Sequence, residues 1–205
     1  YYIGNQEMAR VRKGEITFYN LDGDEIEKEL KTVEWDAEAA EKAGYEHFMI
    51  KEIHEQPKAV SDTLNSVVKD GAIDLSEVGL SEEEIKEISQ IYIVACGSAY
   101  HVGVAAQYVM EDLARIPVRV ELASEFRYRN PILDPKGLVI IISQSGETAD
   151  SLAALRESKK QGVKTLGIVN VIGSSIAREA DNVFYTLAGP EIAVATTKAY
   201  STQLI

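Results

Sequence analysis

Five short apolar runs follow one another at a regular spacing in the second half of the sequence, with helical patterns or turn residues between them. Short apolar runs bounded by turn signals are typical of buried strands. Strands that alternate with helices pair in parallel, and their crossover connections are almost always right-handed. The pattern therefore predicts an α/β fold with a doubly wound, five-stranded parallel sheet and helices on both faces. The predicted strands are residues 91–95, 118–122, 138–142, 163–169 and 183–187.

The first part of the chain follows a different pattern. Residues 10–33 alternate polar and apolar positions around a turn at residues 21–24, which predicts a β-hairpin. An isolated hairpin is only marginally stable, so we interpret this one as the remnant of a separate domain. Residues 32–44 are acidic and alanine-rich, which is typical of a connector.

Helical periodicity begins after the connector. Apolar residues recur at helical spacing on both sides of Pro57, and Ser81 with Glu84 forms a capping box ahead of a further helix. We expect these helices to cover the sheet.

The turn after the third predicted strand carries the clearest chemical signal. Ser143, Ser145 and Thr148 lie between a run of apolar residues at 138–142 and a predicted helix at 149–161. A helix N-terminus offers free N–H groups and the positive end of the helix dipole, and hydroxyl groups add hydrogen-bond donors without fixed charge. The turn therefore predicts a phosphate site. The alternative is that these hydroxyls only cap the helix.

Ligands of doubly wound sheets bind beyond the carboxyl ends of the strands. This rule brings together the turns at residues 96–100, 143–148 and 170–175. In the first of them, Gly97 permits close backbone approach and Ser98 offers a hydroxyl at the start of a helix that runs to about Ala114. We expect this turn either to bind a sugar hydroxyl or to be an ordinary strand–helix junction.

Composition narrows the class of partner. The 205 residues carry a formal charge of −12, which opposes binding to nucleic acid or to an anionic membrane surface.

We find no apolar run long enough to span a bilayer and no secretory leader, so we expect a cytoplasmic protein. Cys96 is the only cysteine and there are three histidines, so we predict neither a disulfide nor a metal site.

Several other kinds of catalytic or binding site are disfavoured by the residues found at individual positions. A cysteine phosphatase needs an arginine six residues after the thiolate, where this chain has Val102. The glycine spacings of dinucleotide and nucleoside triphosphate sites are missing. The strand-end turns also lack the aromatic residues that would hold a flavin, so we predict no cofactor. Lys198 is a conceivable Schiff-base amine, but we expect it on a helix surface.

Five motifs follow one another along the chain: CGSAYH at 96–101, ELASEF at 121–126, SQSGETAD at 143–150, GSS at 173–175 and AVATTKAY at 193–200. These motifs and their order resemble the sugar isomerase (SIS) half of the glutamine–fructose-6-phosphate aminotransferase family, also called glucosamine-6-phosphate synthases. Upstream, KEIHEQP at 51–57 is similar to that family's entry to the isomerase half, and the hairpin is similar to the tail of its glutaminase half.

The resemblance implies an enzyme that uses ammonia from glutamine to convert fructose 6-phosphate to glucosamine 6-phosphate. It implies that residues 1–44 are the glutaminase tail plus a linker and that residues 45–205 are the first SIS domain, which pairs as a homodimer through its helices. The family commonly has serine where this chain has Ala99. By position, the phosphate would be held by Ser143, Gln144, Ser145 and Thr148, and the sugar by Gly97, Ser98, Ala99, Val194 and Ala195.

The ends of the chain add one expectation. It begins with Tyr1 and stops at Ile205 inside an apolar helical pattern, so we expect a fragment truncated in its last helix. By the resemblance, the glutaminase cysteine and the isomerising glutamate, histidine and lysine lie outside it, and we predict binding with little or no turnover. Two alternatives stay open: a regulatory SIS module that senses a phosphosugar, and another phosphosugar isomerase or deaminase.

Overall fold

In the computed structural model, which describes residues 1–30 and 41–205, the predicted strands pair into one parallel sheet. The strands are β6 (Gln90–Ala95), β7 (Val118–Leu122), β8 (Gly137–Ser143), β9 (Lys164–Val169) and β10 (Asn182–Tyr185). Their order in the sheet is β10-β9-β8-β6-β7, and each pair is parallel. This confirms the predicted α/β fold.

Helices lie on both faces of the sheet, as its buried strands require. Strand β8 is central and all seven of its residues are buried. Its alternate side chains enter two separate cores: Val139 and Ile141 pack with α4, α5 and α6, whereas Ile140 and Ile142 pack with α3. The helices are α1 (Phe48–Val67), α2 (Glu82–Glu87), α3 (Gly97–Ala114), α4 (Ala123–Phe126), α5 (Ala149–Lys160), α6 (Ser175–Glu179) and α7 (Lys198–Leu204).

Several local predictions are confirmed. Helix α5 begins directly after the serine-containing turn, and α3 runs to Ala114. At the start of α2, Ser81 Oγ accepts from the Glu84 N–H, and Glu84 Oε2 accepts from the Ser81 N–H, so the capping box is present.

Helix α1 departs from the prediction. It is one continuous helix through Pro57, and it packs mainly against α7 rather than on the sheet. Its buried residues include Lys51 and Glu52, whereas Ile53 and Leu64 of the predicted apolar face are about two-fifths exposed. The face that α1 turns inward is therefore mixed, with Lys51 and Glu52 buried beside Ala59 and Thr63.

The N-terminal residues form a small antiparallel sheet of β1 (Met8–Arg12), β2 (Glu15–Tyr19) and β3 (Glu25–Ile26). The predicted turn at 21–24 joins β2 to β3, with Phe18 opposite Ile26. A second, tighter turn with Gly14 at φ 81° joins β1 to β2 and was not predicted.

Two compact units, Tyr1–Glu34 and Trp35–Ile205, divide the chain, and most of the predicted connector at 32–44 lies outside the described residues. The larger unit also contains a minimal hairpin of β4 (Val68–Lys69) and β5 (Ala72–Ile73). Over residues 1–30 and 41–205, no helix is both long and apolar enough to cross a membrane.

Candidate functional site

A cavity of about 270 Å³ opens at the carboxyl ends of β6 and β8. The chain leaves β6 toward β7 on one side and returns on the other side of β6 as β8, so the cavity lies at the point where the winding direction reverses. Crevices at such points are the usual ligand sites of open α/β sheets. The cavity is lined by Cys96, Ser98, Ala99, Ile142, Ser143, Gln144, Ser145, Thr148, Val194, Thr196 and Gln203.

The serine turn, residues 143–148, forms one wall of the cavity. Ser143 Oγ accepts from the Gly146 N–H at 3.1 Å and lies 2.9 Å from Thr148 Oγ1. Ser145 Oγ accepts from the Glu147 N–H at 3.2 Å, which leaves the Ser145 hydroxyl proton to donate elsewhere. Thr148 is the N-cap of α5, but its side chain makes no capping bond. The hydroxyls thus shape the turn and are not consumed by capping the helix.

Gln144 brings an amide group to the same wall. Its Oε1 atom is buried and has no hydrogen-bond partner within the described part of the chain. Buried polar atoms are nearly always paired, so an unpaired one beside a cavity points to a ligand as its partner. The Gln144 carbonyl accepts from the Asn170 N–H at 3.2 Å, which ties the turn to the end of β9.

Gly146 fixes the sharpest bend of the serine turn. Its φ is +66°, and a Cβ atom built there would lie 2.0 Å from Ser174 Oγ. The Ile176 N–H donates to the Gly146 carbonyl at 3.0 Å. A side chain is therefore excluded at this position both by conformation and by the neighbouring 170–175 turn.

The turn after β6 supplies the second wall. Helix α3 begins at Gly97, with Cys96 as an N-cap that makes no side-chain capping bond. Ser98 and Ala99 line the cavity, whereas Gly97 does not. The N-termini of two long helices, α3 and α5, therefore open on one cavity and favour an anion in it.

The third wall is the 191–197 loop that precedes α7. Val194 and Thr196 line the cavity, whereas Ala195 does not. Glu191 braces the loop internally, because its Oε2 accepts from Thr196 Oγ1 at 2.9 Å and its Oε1 accepts from the Thr197 N–H at 2.8 Å.

Seven of the nine predicted site residues thus surround one cavity, and Gly97 and Ala195 lie outside its lining. Sequence reasoning did not assign the other four lining residues to the site, namely Cys96, Ile142, Thr196 and Gln203. Thr196 directly follows two predicted residues and carries a hydroxyl, which is a usable signal. Gln203 lies on α7 and gave no local signal, because only the packing of α7 brings it to the cavity.

No charged side chain lines the cavity within the described part of the chain, where Cys96 is the only titratable residue of the lining. The two nearby carboxylates are engaged elsewhere: Asp150 pairs with Arg127 at 2.6 Å, and Glu147 Oε1 accepts from the Ser175 N–H at 2.7 Å. The hydrogen bond that Arg127 donates to Asp150 raises the pKa of Arg127. These contacts reduce the electrostatic repulsion that the Asp150 and Glu147 carboxylates exert on an anion in the cavity.

Lys198 lies elsewhere than expected. It is buried at 3% exposure, and its Nζ atom lies 2.7 Å from Glu55 Oε2. The expectation of a helix-surface lysine is therefore wrong, since the ammonium is held in a buried ion pair and does not line the cavity. Within the described ranges, no three His, Cys, Asp or Glu side chains are grouped to hold a metal ion.

Comparison with known proteins gives a consistent result. The family model "SIS domain" matches residues 84–205. The glutamine–fructose-6-phosphate aminotransferase [isomerizing] of Clostridium acetobutylicum is 57% identical over all of this chain, and that of Caldanaerobacter subterraneus is 56% identical. The chain spans 34% of the length of each of these relatives.

Solved structures share the fold. The C-terminal domain of the glucosamine-fructose-6-phosphate aminotransferase from Francisella tularensis matches with a TM-score of 0.76 and 48% identity, covering 80% of this chain and 47% of that one. A glucosamine-6-phosphate deaminase from Thermotoga maritima matches with a TM-score of 0.61 at 23% identity, covering 77% of this chain and 47% of that one. The second likeness establishes a common fold only.

Proposed function

Because the chain belongs to the SIS domain family, we propose that its cavity binds fructose 6-phosphate and glucosamine 6-phosphate. The chain is then the phosphosugar-binding part of an isomerising glutamine–fructose-6-phosphate aminotransferase. That parent enzyme makes glucosamine 6-phosphate from fructose 6-phosphate and glutamine.

One observation carries this proposal: uncharged hydroxyls and two helix N-termini converge on a single cavity at the switch point of the sheet. In the proposal, Ser143, Gln144, Ser145 and Thr148 hold the phosphate, with the first N–H groups of α5. The unpaired Gln144 Oε1 is an acceptor, so it supports a ligand hydroxyl on this wall, and within this side chain only the amide NH2 group can donate to the phosphate.

The sugar is assigned to the other two walls. Ser98, Ala99 and Val194 line the cavity, and Gly97 and Ala195 flank them in the chain. Ala99 has no hydroxyl, so the contact commonly made by the family's serine is left to Ser98 or to backbone groups.

The chemistry of the lining supports binding without turnover. Isomerisation of a ketose phosphate moves a proton between neighbouring carbon atoms and needs a general acid and base. Among residues 1–30 and 41–205, the lining includes no Asp, Glu, His or Lys. We therefore assign the proton-transfer groups to other parts of the parent enzyme and expect this chain to bind its ligand unchanged.

A phosphosugar-sensing module is the main alternative. The aminotransferase is favoured because the relatives match the whole chain, including residues 1–83 that precede the family model. The homodimer and the cytoplasmic location remain parts of the proposal. The homodimer is supported by exposed apolar side chains on α3, namely Tyr108, Val109 and Leu113.

Calorimetric titration of the 205-residue chain tests the proposal. The ligands are fructose 6-phosphate, glucosamine 6-phosphate, inorganic phosphate and FMN. We expect both hexose phosphates to bind more tightly than inorganic phosphate, and FMN to bind most weakly. Failure to bind either hexose phosphate, or a preference for FMN, contradicts the assignment of the site. Formation of glucosamine 6-phosphate from fructose 6-phosphate and glutamine by this chain contradicts the absence of turnover.

A further inference from the structure

Helix α1 lies outside the residues that the SIS domain model matches, yet it holds the 191–197 loop that lines the cavity. We propose that Glu52 of this helix is a positioning residue for the sugar side of the site. The inference rests on the proposed function, because it names a residue that sets the affinity of the same cavity.

Glu52 reaches the loop through its carboxylate. The residue is 1% exposed, and its Oε1 atom accepts from the Ile192 N–H at 2.6 Å and from the Ala193 N–H at 3.1 Å. These partners are 140 and 141 positions away in the sequence. Two charge-assisted bonds to consecutive N–H groups fix both the position and the orientation of the peptide that enters Val194.

The other end of the loop is anchored to the same helix. Lys198, the first residue of α7, pairs with Glu55 at 2.7 Å, and Lys51 lies 3.4 Å from the other oxygen of Glu55. Ser201 Oγ donates to Gln56 Oε1 at 2.5 Å. The conspicuous KEIHEQP segment thus supplies Glu52, Glu55 and Gln56 as contacts on both sides of Val194 and Thr196.

The phosphate wall is supported by different elements. The serine turn is held by Asn170, Ser175 and Ile176, through bonds to Gln144, Glu147 and Gly146 respectively. Glu52 makes none of these bonds. Loss of its carboxylate should therefore displace the loop that contacts the sugar and leave the phosphate wall in place.

The substitution Glu52→Met tests this separation. Methionine is similar in length but cannot accept the two N–H groups, which would be left unpaired in a buried place. We expect the Kd for fructose 6-phosphate to rise about tenfold while the Kd for inorganic phosphate changes less than about twofold. Both are measured by calorimetry on the full 205-residue chain.

Two further variants make the result specific. Glu52→Gln keeps an acceptor oxygen without its charge, so we expect a smaller loss of fructose 6-phosphate affinity, about threefold. Asp62→Asn removes a carboxylate from the same helix. Within the described part of the chain, the Asp62 carboxylate pairs only with the exposed Lys58. This control should change neither the Kd for fructose 6-phosphate nor that for inorganic phosphate. Amide hydrogen exchange at Ile192 and Ala193 should accelerate in both Glu52 variants and not in Asp62→Asn.

The outcomes separate the two proposals. If the unsubstituted chain binds no hexose phosphate, the proposed function fails and the inference falls with it. If it binds but Glu52→Met weakens fructose 6-phosphate and inorganic phosphate equally, or neither, the positioning role alone is overturned. Should Glu52→Met fail to fold, Glu52→Gln serves as the test. An unchanged ratio of the Kd values for fructose 6-phosphate and inorganic phosphate, together with unchanged amide hydrogen exchange at Ile192 and Ala193, overturns the inference.

Discussion

At the scale of single residues, the site relies on neutral hydroxyls whose orientation is set by the turn itself. Ser143 and Ser145 each accept a backbone N–H from their own turn, which fixes their oxygens. The Ser145 proton can be directed to a ligand, whereas Ser143 and Thr148 share a hydrogen bond that leaves one hydroxyl proton of the pair for a ligand. Ser/Thr-rich turns at helix starts usually reflect capping. Here Thr148 occupies the N-cap without a side-chain capping bond, which favours the ligand role.

Replacement of Ser145 by alanine measures that role. We expect the loss of one hydrogen bond to a charged phosphate, about 1.5 to 3 kcal/mol, or roughly ten- to a hundredfold in Kd for fructose 6-phosphate. Calorimetry gives the value, with Ser61→Ala on the exposed face of α1 as the control. An unaltered Kd would reduce Ser145 to a structural residue.

The steric role of Gly146 can be tested with Gly162 as a matched control. Gly146 and Gly162 both have positive φ, at 66° and 75°, but a Cβ atom meets Ser174 only at Gly146 and meets nothing within 4 Å at Gly162. We expect Gly162→Ala to cost about 1 kcal/mol through backbone strain alone, and Gly146→Ala to cost at least about 2 kcal/mol more. Urea unfolding measures both. Equal losses would mean that the contact with Ser174 relaxes freely.

At the scale of elements, α1 shows why a helical pattern does not identify the buried face. Periodicity marks the stripe containing Ile53 and Leu64, yet the structure buries Lys51, Glu52 and Thr63 instead. Lys51 pairs with Glu55 on the same helix, Glu52 Oε1 accepts from the 191–197 loop, and Thr63 Oγ1 accepts from the Leu187 N–H. These contacts offset much of the cost of burying the three polar groups.

A second contact between elements predicts an acid response. Asp181 receives hydrogen bonds from Lys159 on α5 and from the N–H and O–H of Thr165 on β9. Burial acts to raise the pKa of Asp181, but the hydrogen bonds from Lys159 and Thr165 outweigh it, so its pKa is lowered. The unfolded carboxyl titrates near pH 4, so the stabilisation is present above about pH 4 and is lost as the pH falls through the lower folded pKa.

We therefore expect Asp181→Asn to be less stable than the parent chain at pH 7, by at most about 1 kcal/mol because the pair is partly exposed. The difference should narrow at about pH 3, where the parent begins to lose this contribution. Urea unfolding at the two pH values measures it, with the exposed Asp70→Asn as the control. If the difference in the free energy of unfolding is the same at both pH values, the pH-dependent stabilisation does not come from Asp181.

At the scale of the whole molecule, an acidic protein presents a neutral site to an anion. The formal charge is −12, and none of the described residues that line the cavity is Lys, Arg or His. Attraction of the phosphate must come from local donors and helix N-termini, while the overall field opposes its approach.

The salt dependence of binding should reflect this balance. Raising KCl from about 0.05 M to about 0.5 M screens the long-range repulsion more than the short hydrogen bonds. We expect the Kd for fructose 6-phosphate to stay constant or fall by up to about threefold. A Kd that rises severalfold with salt would reveal a cationic group in the site. Calorimetry at constant pH, with NaCl in place of KCl as the control, distinguishes screening from a specific potassium effect.

Local patterns in the amino-acid sequence predicted the parallel sheet, helices α3 and α5, and the serine turn with its hydroxyls. Each follows from local properties: β-branched runs form strands, hydroxyls and glycine shape turns, and parallel strands bring their carboxyl ends to one edge. Gln144, Ala99 and Val194 were assigned to the site through the family resemblance. The inward face of α1, the burial of Lys198, and the places of Gln203 and the 191–197 loop became visible only in the folded chain. Those features depend on contacts between residues such as Glu52 and Ile192, which are remote in the chain and meet only because α7 packs against α1.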